Sequence, residues 1–518
     1  MLSTGNSENF LKPVDMTLPG RGQKRGSDIE TENGKKSRRG VTVHLPTSSP
    51  RVRARSKPRK RPRSVSVSTR NTTDGTSITQ AARRRTHVFF SNQNTDPVVE
   101  IPEIVGATQT LAAGDGELGQ LGLGPDNPNG KSRFVAVKEL ALSSSSIQFK
   151  PVACAAGALH SLVLTDTGHV FSFGCNDEGA LGRETEEETG YYVPRLVDLP
   201  PELRIARVAA GNVHSMALTT TGRVFFWGLY RDSKGPMGAV VNGNTNFQKP
   251  TEVLMHETII DISCGADHSL LLSRSGNVYS MGCSEQGRLG RIRRSHCCWE
   301  NRRANEVMLV PHRVHAFHQR KPVVFDRIWT GRFTSFARSA EDGSIWGCGL
   351  NNFSQLGDMK DEYMEDSFVY TFVRLEAFDP SIKWTQIAGG EQHTLALDDS
   401  GNVYALGRRV YGRLGLGKVQ EDSDVKMPTS IETLHTDGHK IIAIAAGDHT
   451  SFALDNNGTL YSWGQGSDML GQGDRNSATD LDVFEPTACI SNILRSSKVV
   501  SLSAGSSHSL CIVTVPER

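Results

Sequence analysis

A motif of the form Ala-Gly-x-x-His-Ser/Thr-x-x-Leu returns seven times along this chain. It reads AAGALHSLVL at Gly157, AAGNVHSMAL at Gly211, SCGADHSLLL at Gly265, WTGRFTSFAR at Gly331, AGGEQHTLAL at Gly390, AAGDHTSFAL at Gly447 and SAGSSHSLCI at Gly505, in steps of 54, 54, 66, 59, 57 and 58 residues. A period of this size means one supersecondary unit that cannot bury its apolar face alone, so successive copies must stack. A second half-unit, a polar loop closing on Leu-Gly, alternates with the first, from GDGELGQLG (114–122) and GCNDEGALG (174–182) to GQGSDMLGQG (464–473). The order of the halves is the strongest constraint. The repeat region opens on a second half and ends on a first half, so the two ends must combine into one unit and close a ring. Closure also removes the strand edges that an open array would expose.

Within each unit, short alternating runs such as HSLVL and HVFSFG flank a glycine turn, which is the pattern of antiparallel strands, about four per unit. The 51 glycines and only 7% aromatic residues suit short strands and tight turns. WD40 repeats are shorter and carry Trp-Asp, whereas here the aromatic precedes glycine, as in Trp227-Gly228, Trp346-Gly347 and Trp463-Gly464; kelch repeats match poorly. The expected fold is all-β: a seven-bladed β-propeller over residues 105–515, closed by pairing of the N- and C-terminal half-repeats and preceded by a disordered basic tail over residues 1–95.

The net charge of +2 conceals an asymmetry. Residues 1–90 hold 20 Lys and Arg against 6 Asp and Glu, leaving 38 against 50 in the remainder. A basic tail attracts polyanions and an acidic body attracts basic protein surfaces. The tail is rich in Ser, Thr, Pro and Gly, with no hydrophobic periodicity, and cannot offset its chain entropy by burial. Lys24-Arg25, nine residues, then Lys35, Lys36, Arg38 and Arg39 resemble a bipartite nuclear import signal of the kind importin reads. The run with Arg51, Arg53, Arg55, Lys57, Arg59, Lys60, Arg61 and Arg63 puts many cations on an extended backbone, suited to salt-sensitive, sequence-blind contact with DNA. Ser64, Ser66 and Ser68 follow it, where phosphorylation would weaken that contact.

No apolar run approaches the ~18 residues of a spanning helix, so no membrane role is expected. The nine cysteines contain no CxxC and several lie in apolar runs, as in PVACAAG and SLCIV, which reads as reduced core thiols. Cys297-Cys298 beside His296 lacks a second ligand pair, so no metal is expected. Phosphate-loop, zinc-protease and nucleophile-elbow motifs are absent, and the glycine clusters recur with the blade period, as turns do.

Comparison of the seven copies separates scaffold from site. The histidines His160, His214, His268, His393 and His508 recur and so carry a structural task, expected to be the satisfaction of buried backbone groups, and the leading glycine is expected to serve a tight backbone conformation. The two positions between them differ in every copy, including Asn212-Val213, Ala266-Asp267, Arg332-Phe333, Glu391-Gln392 and Ser506-Ser507, with the Gly447 copy read as shortened. Such diversity on one rim is what a binding face shows. Two loops break the pattern: Leu229 to Gly235, and Arg291 to Val310, which accounts for most of the 66-residue step.

The strings FGCNDEGALGR (Phe173 to Arg183), WGLYRDSKG (Trp227 to Gly235) and GRRVYGRLGLG (Gly407 to Gly417), with the basic tail, resemble the regulator of chromosome condensation family, nuclear exchange factors for the small GTPase Ran, over roughly residues 105–515. That resemblance implies a nuclear, chromatin-bound exchange factor with no cofactor and no covalent chemistry. It implies that the loop Gly228 to Gly238 is a β-wedge carrying Arg231 and Asp232. Family exchange residues fall on Asp267, Arg291, Asn352 and His508, and on Glu117 where an aspartate is typical. The insertion after Arg291 matches the loop that reaches the acidic patch formed by histones on the nucleosome, with Arg302 and Arg303 as its arginines. Asn212 stands in place of an acid, Gln392 of a histidine and Val241 of a glutamate. The other reading is a propeller scaffold of the same superfamily that binds chromatin or proteins without promoting exchange.

Overall fold

The computed structural model describes residues 98–515 apart from residue 139, residues 141–147, 186–189, 239–247, 298–306, 419–422 and 436–439, residue 467 and residues 474–481. Seven four-stranded antiparallel sheets form the blades of a β-propeller, and two small hairpins, Tyr230–Asp232 with Gly235–Gly238 and Phe317–His318 with Lys321–Pro322, stand apart from them. From the centre outwards, blade 1 runs Pro151–Ala156, His160–Thr165, Val170–Gly174, Arg195–Leu196, and blades 2 to 6 follow the same order from Ile205, Ile259, Phe325, Trp384 and Ile441.

Blade 7 is the expected closure. Its two inner strands, Lys498–Ala504 and His508–Val515, come from the end of the repeat region, and its two outer strands, Ala107–Gly114 and Lys131–Ala136, from the beginning. Eight consecutive pairs, from Ala107 with Val515 to Gly114 with His508, join them.

Second strands such as His160–Thr165 and His214–Thr219 are buried throughout, because each has a strand on both sides and a neighbouring blade on both faces. Innermost strands carry small residues, as in PVACAA and IIAIAA, since seven of them converge on a channel of about 410 Å³. Apolar side chains of adjacent blades interdigitate. Leu162 and Leu164 of blade 1 pack with Ile205, Phe225 and Trp227 of blade 2.

The recurrent histidines are framework, with a partner other than the one expected. Each gives its Nε2 to a serine hydroxyl of the next blade: His160 to Ser215 at 2.9 Å, His214 to Ser269 at 3.1 Å, His268 to Ser335 at 2.9 Å, His393 to Ser451 at 2.9 Å and His508 to Ser161 at 2.7 Å. Four of these serines already donate to loop carbonyls, of Gln120, Ala180, Arg288 and Arg413, so the imidazole N–H is the donor in those pairs. Burial holds the rings neutral, with His160 pushed down to about 4 and His214 and His508 to about 3.

The glycine before each histidine also has a different reason. Gly157, Gly211, Gly265 and Gly390 are not at positive φ. A Cβ at Gly211 would fall on the His214 ring and 2.6 Å from the Gly265 carbonyl oxygen in the next blade, so the residue is needed for space. In contrast, Gly182 of the Leu-Gly element has φ 63° and lies under Trp227, whose indole donates to the Ala180 carbonyl at 2.8 Å.

Candidate functional site

Each framework position pairs with the glycine that opens the following loop, for example His160 with Gly174, His268 with Gly282 and Thr450 with Gly464. The unlike turn residues and the polar loops therefore share one face of the disc, around the channel mouth. Backbone hydrogen bonds link neighbouring turns, such as Asn212 N–H to the Ala266 carbonyl at 2.8 Å and Ala266 N–H to the Arg332 carbonyl at 3.0 Å. Across the mouth, the Arg332 guanidinium meets the Asp448 carboxylate at 2.6 Å and also donates to Ser506. The Gly447 copy keeps full length: Thr450 occupies the framework position and frees His449 for the face. There His449 stacks on Tyr411 and lies 3.4 Å from Glu391, with burial and the nearby arginines pushing it down to about 4.

Asp267 is the best-defined feature. It is only 7% exposed. One carboxylate oxygen accepts the backbone N–H of Arg231 at 3.0 Å and the other the side-chain amide of Asn212 at 3.0 Å. Burial raises its pKa above the ordinary value, opposed by Arg288 and by these two donors. The loop from Gly228 to Gly238 forms a hairpin, and Arg231 and Asp232 lie on its first strand. Tyr230 roots it, fully buried against His214 and Phe226 and donating to Ser269 at 3.0 Å. Outside, Arg231 pairs with Glu178, Ser233 N–H donates to Glu285 at 3.1 Å, and Asp232 accepts the Lys234 N–H at 2.9 Å.

The remaining residues singled out in the sequence take different positions. Asn352 is exposed on the blade 4 loop, its side-chain oxygen accepting from Gln355 at 3.0 Å. Glu117 is exposed beside a groove of about 560 Å³ that also includes Asp115, Asp448 and Asp468. His508 is fully buried and engaged with Ser161, so it offers no surface on this face. Arg291 turns inward: it donates to the hydroxyl and carbonyl of Ser280 and to the Val307 carbonyl at 2.9 Å, clamping the base of the insertion, as Arg183 does on Ser172 in blade 1. Gln392 lies between Arg408 at 2.8 Å and Arg413 at 3.2 Å. The tail residues from Lys24 to Arg63, and Val241, Cys298, Arg302 and Arg303, lie outside the described residues, as do the side chains of His296 and Cys297.

Sequence reasoning placed Arg332 and Ser506 on the variable face without their meeting with Asp448 across the channel, and it missed Glu178 and Glu285, which brace the hairpin from neighbouring blades. Glu285 shares its loop position with Glu117, and periodicity gives no sign either of the brace or of the cross-channel contact. Among the described residues no group of three or more His, Cys, Asp or Glu is arranged to hold a metal. The described cysteines are free, and burial pushes Cys154, Cys264, Cys283 and Cys489 up to about 12, so they are protonated and unreactive.

A rigid ring that presents unlike polar side chains and a braced hairpin on one face is a macromolecular recognition propeller. Residues 109–511 match the model of the RCC1-like domain. The regulator of chromosome condensation of Xenopus laevis is 35% identical over 80% of this chain and 92% of its own length. The guanine nucleotide exchange factor SRM1 of Saccharomyces cerevisiae is 28% identical over 68% of this chain and 77% of its own. The crystal structure of Prp20p from the same yeast superposes with a TM-score of 0.69 and 26% identity, covering 80% of this chain and 94% of that one; Prp20p was studied for its binding to Gsp1p and histones. A second structure holds Prp20, the yeast RCC1, bound to Kap60, with the same TM-score and identity, over 81% and 91% of the two chains. The chain belongs to the regulator of chromosome condensation (RCC1) family.

Proposed function

We propose that this chain is a chromatin-associated guanine nucleotide exchange factor for a Ran-type small GTPase, acting in the nucleus without covalent chemistry. The observation that carries this reading is the hairpin Tyr230–Asp232 with Gly235–Gly238, rooted in the core by Tyr230 and braced over Asp267 on the variable face. A protruding, pre-positioned element needs no reorganisation on docking, so binding energy goes into displacing the partner's nucleotide loops. A factor that binds the nucleotide-free GTPase more tightly than the loaded one lowers nucleotide affinity by the same ratio. The release of GDP accelerates, and GTP re-enters as the more abundant cellular nucleotide.

The Gsp1p and histone binding studied for Prp20p, and its complex with Kap60, support the same partner classes here: a Ran-type GTPase, the histones of the nucleosome and importin. Arg302 and Arg303 are assigned to the nucleosome acidic patch, and the basic run from Arg51 to Arg63 to DNA. The acidic balance outside the tail, 50 Asp and Glu against 38 Lys and Arg, suits a basic partner surface. The deciding experiment follows release of fluorescent GDP from purified Ran. Substoichiometric protein should accelerate it many-fold, and release at the intrinsic rate even with excess protein would leave only a non-exchanging scaffold.

A further inference from the structure

Asp267 joins three elements through two oxygens. Oδ1 accepts the Arg231 N–H of the hairpin and Oδ2 accepts Nδ2 of Asn212 on the blade 2 turn, both at 3.0 Å. With only 7% of the residue exposed, water is a poor substitute for either donor. Asn212 is itself fixed, because its backbone N–H donates at 2.8 Å to Ala266, the residue before Asp267. Two further ties to the hairpin, Arg231 with Glu178 and Ser233 with Glu285, involve more exposed side chains and are correspondingly weaker. Asp267 is thus the sheltered polar group that grips the hairpin backbone.

We infer that Asn212, Asp267 and the Arg231 amide form a latch that holds the wedge hairpin in position, and that Asn212 is a positioning residue for exchange, acting through Asp267. This rests on the reading of the hairpin as the exchange wedge. An amide at position 212 suits the task because it donates a hydrogen bond without bringing charge. A carboxylate in its place would set two acids 3.0 Å apart, where both cannot remain ionised, so the contact would persist only by the pair sharing a proton.

The latch is strongest while Asp267 is a carboxylate, since protonation makes one oxygen a hydroxyl, a weaker acceptor, and removes the charge that strengthens both bonds. The charged and titratable groups facing it are Arg288 from its own blade, Arg332 from blade 4, Tyr230 at the hairpin root and Cys283 on the following loop. The two arginines favour the ionised form, while burial opposes it. Removing the Asn212 donor shifts the balance towards the acid. In Asn212→Ala the acid limb of the exchange rate should move to higher pH, and exchange at neutral pH should fall by about tenfold, as for loss of a hydrogen bond to a charged group.

Three measurements test this on the full-length protein. Amide hydrogen exchange across residues 229–238 should quicken in Asn212→Ala while the blade strands keep their protection, which also shows that the variant is folded. Exchange rates of Asn212→Ala, Asp267→Ala and the double variant should be non-additive, the second substitution adding little to the first. The pH profile should shift as described. Hairpin protection and exchange rates unchanged in Asn212→Ala would overturn the latch, as would additive effects of the two substitutions. If the unaltered protein releases no GDP from Ran, the exchange reading fails instead, and the hydrogen-exchange arm alone decides whether the latch exists.

Discussion

Alanine in place of Gly211 probes how one blade is fastened to the next. Its Cβ would fall on Cε1 of His214, 2.6 Å from Nδ1 of the same ring and 2.6 Å from the Gly265 carbonyl oxygen. None of these retreats easily. The ring is held by Ser269 at 3.1 Å and lies against Phe226 and Tyr230, and the carbonyl is part of a neighbouring backbone. Because Gly211 is not at positive φ, backbone strain adds nothing and the cost is steric. Overpacking of this kind costs about 1–3 kcal/mol. Displacing the ring forfeits a buried hydrogen bond of about 1 kcal/mol, so about 2–4 kcal/mol is expected in all. Urea unfolding of Gly211→Ala, His214→Ala and the double variant measures it. With the imidazole gone, the share of the cost due to the ring should vanish while the contact with the Gly265 carbonyl persists, leaving a coupling of about 1–2 kcal/mol. Costs that add to within about 0.5 kcal/mol would refute the steric pairing of the two residues.

Two further outcomes follow from charge. The framework histidines are neutral when folded and titrate near 6.5 when unfolded, so below that pH the unfolded chain binds more protons. Stability should be full above about 6.5 and erode as pH falls towards about 4, where His160 titrates in the fold; His160→Gln should flatten the slope in urea titrations across that window, and an unchanged slope would contradict it. Removal of residues 1–90 should leave GDP release from free Ran unchanged while weakening DNA binding and flattening its salt dependence; equal loss of both activities would contradict the division of labour between tail and ring.

Ring closure, strand order and the framework role of the histidines are all legible in the chain, because each is enforced once per blade and so appears as periodicity. Partnership between blades is not. His160 bonds Ser215 rather than Ser161, its own neighbour in the motif, and a period cannot tell a contact within one copy from a contact with the next. Blade 6 misled for a related reason: His449 precedes Thr450 and mimics a shifted framework histidine, although Thr450 holds the framework position. The site was half legible. Variability marked the face, and Asp267 and Arg231 do meet there. Arg291 carries the right charge at a loop base, but its direction depends on whether Ser280 and the loop carbonyls are within reach, which one-dimensional spacing does not encode. His508 likewise sits one turn from the face, yet its ring is committed to Ser161.

The clasp in blade 7 also sets a timetable for biosynthesis. Leu111 pairs with Cys511, so strands made near the start of the repeat region must wait for almost all of it to be translated before they acquire their inner neighbours. Blades 1 to 6 draw their four strands from contiguous stretches and can form as they leave the ribosome. During that interval the edge of Ala107–Gly114 and the flank of blade 6 stay open to mispairing, so the nascent ring is at its most vulnerable immediately before it is complete.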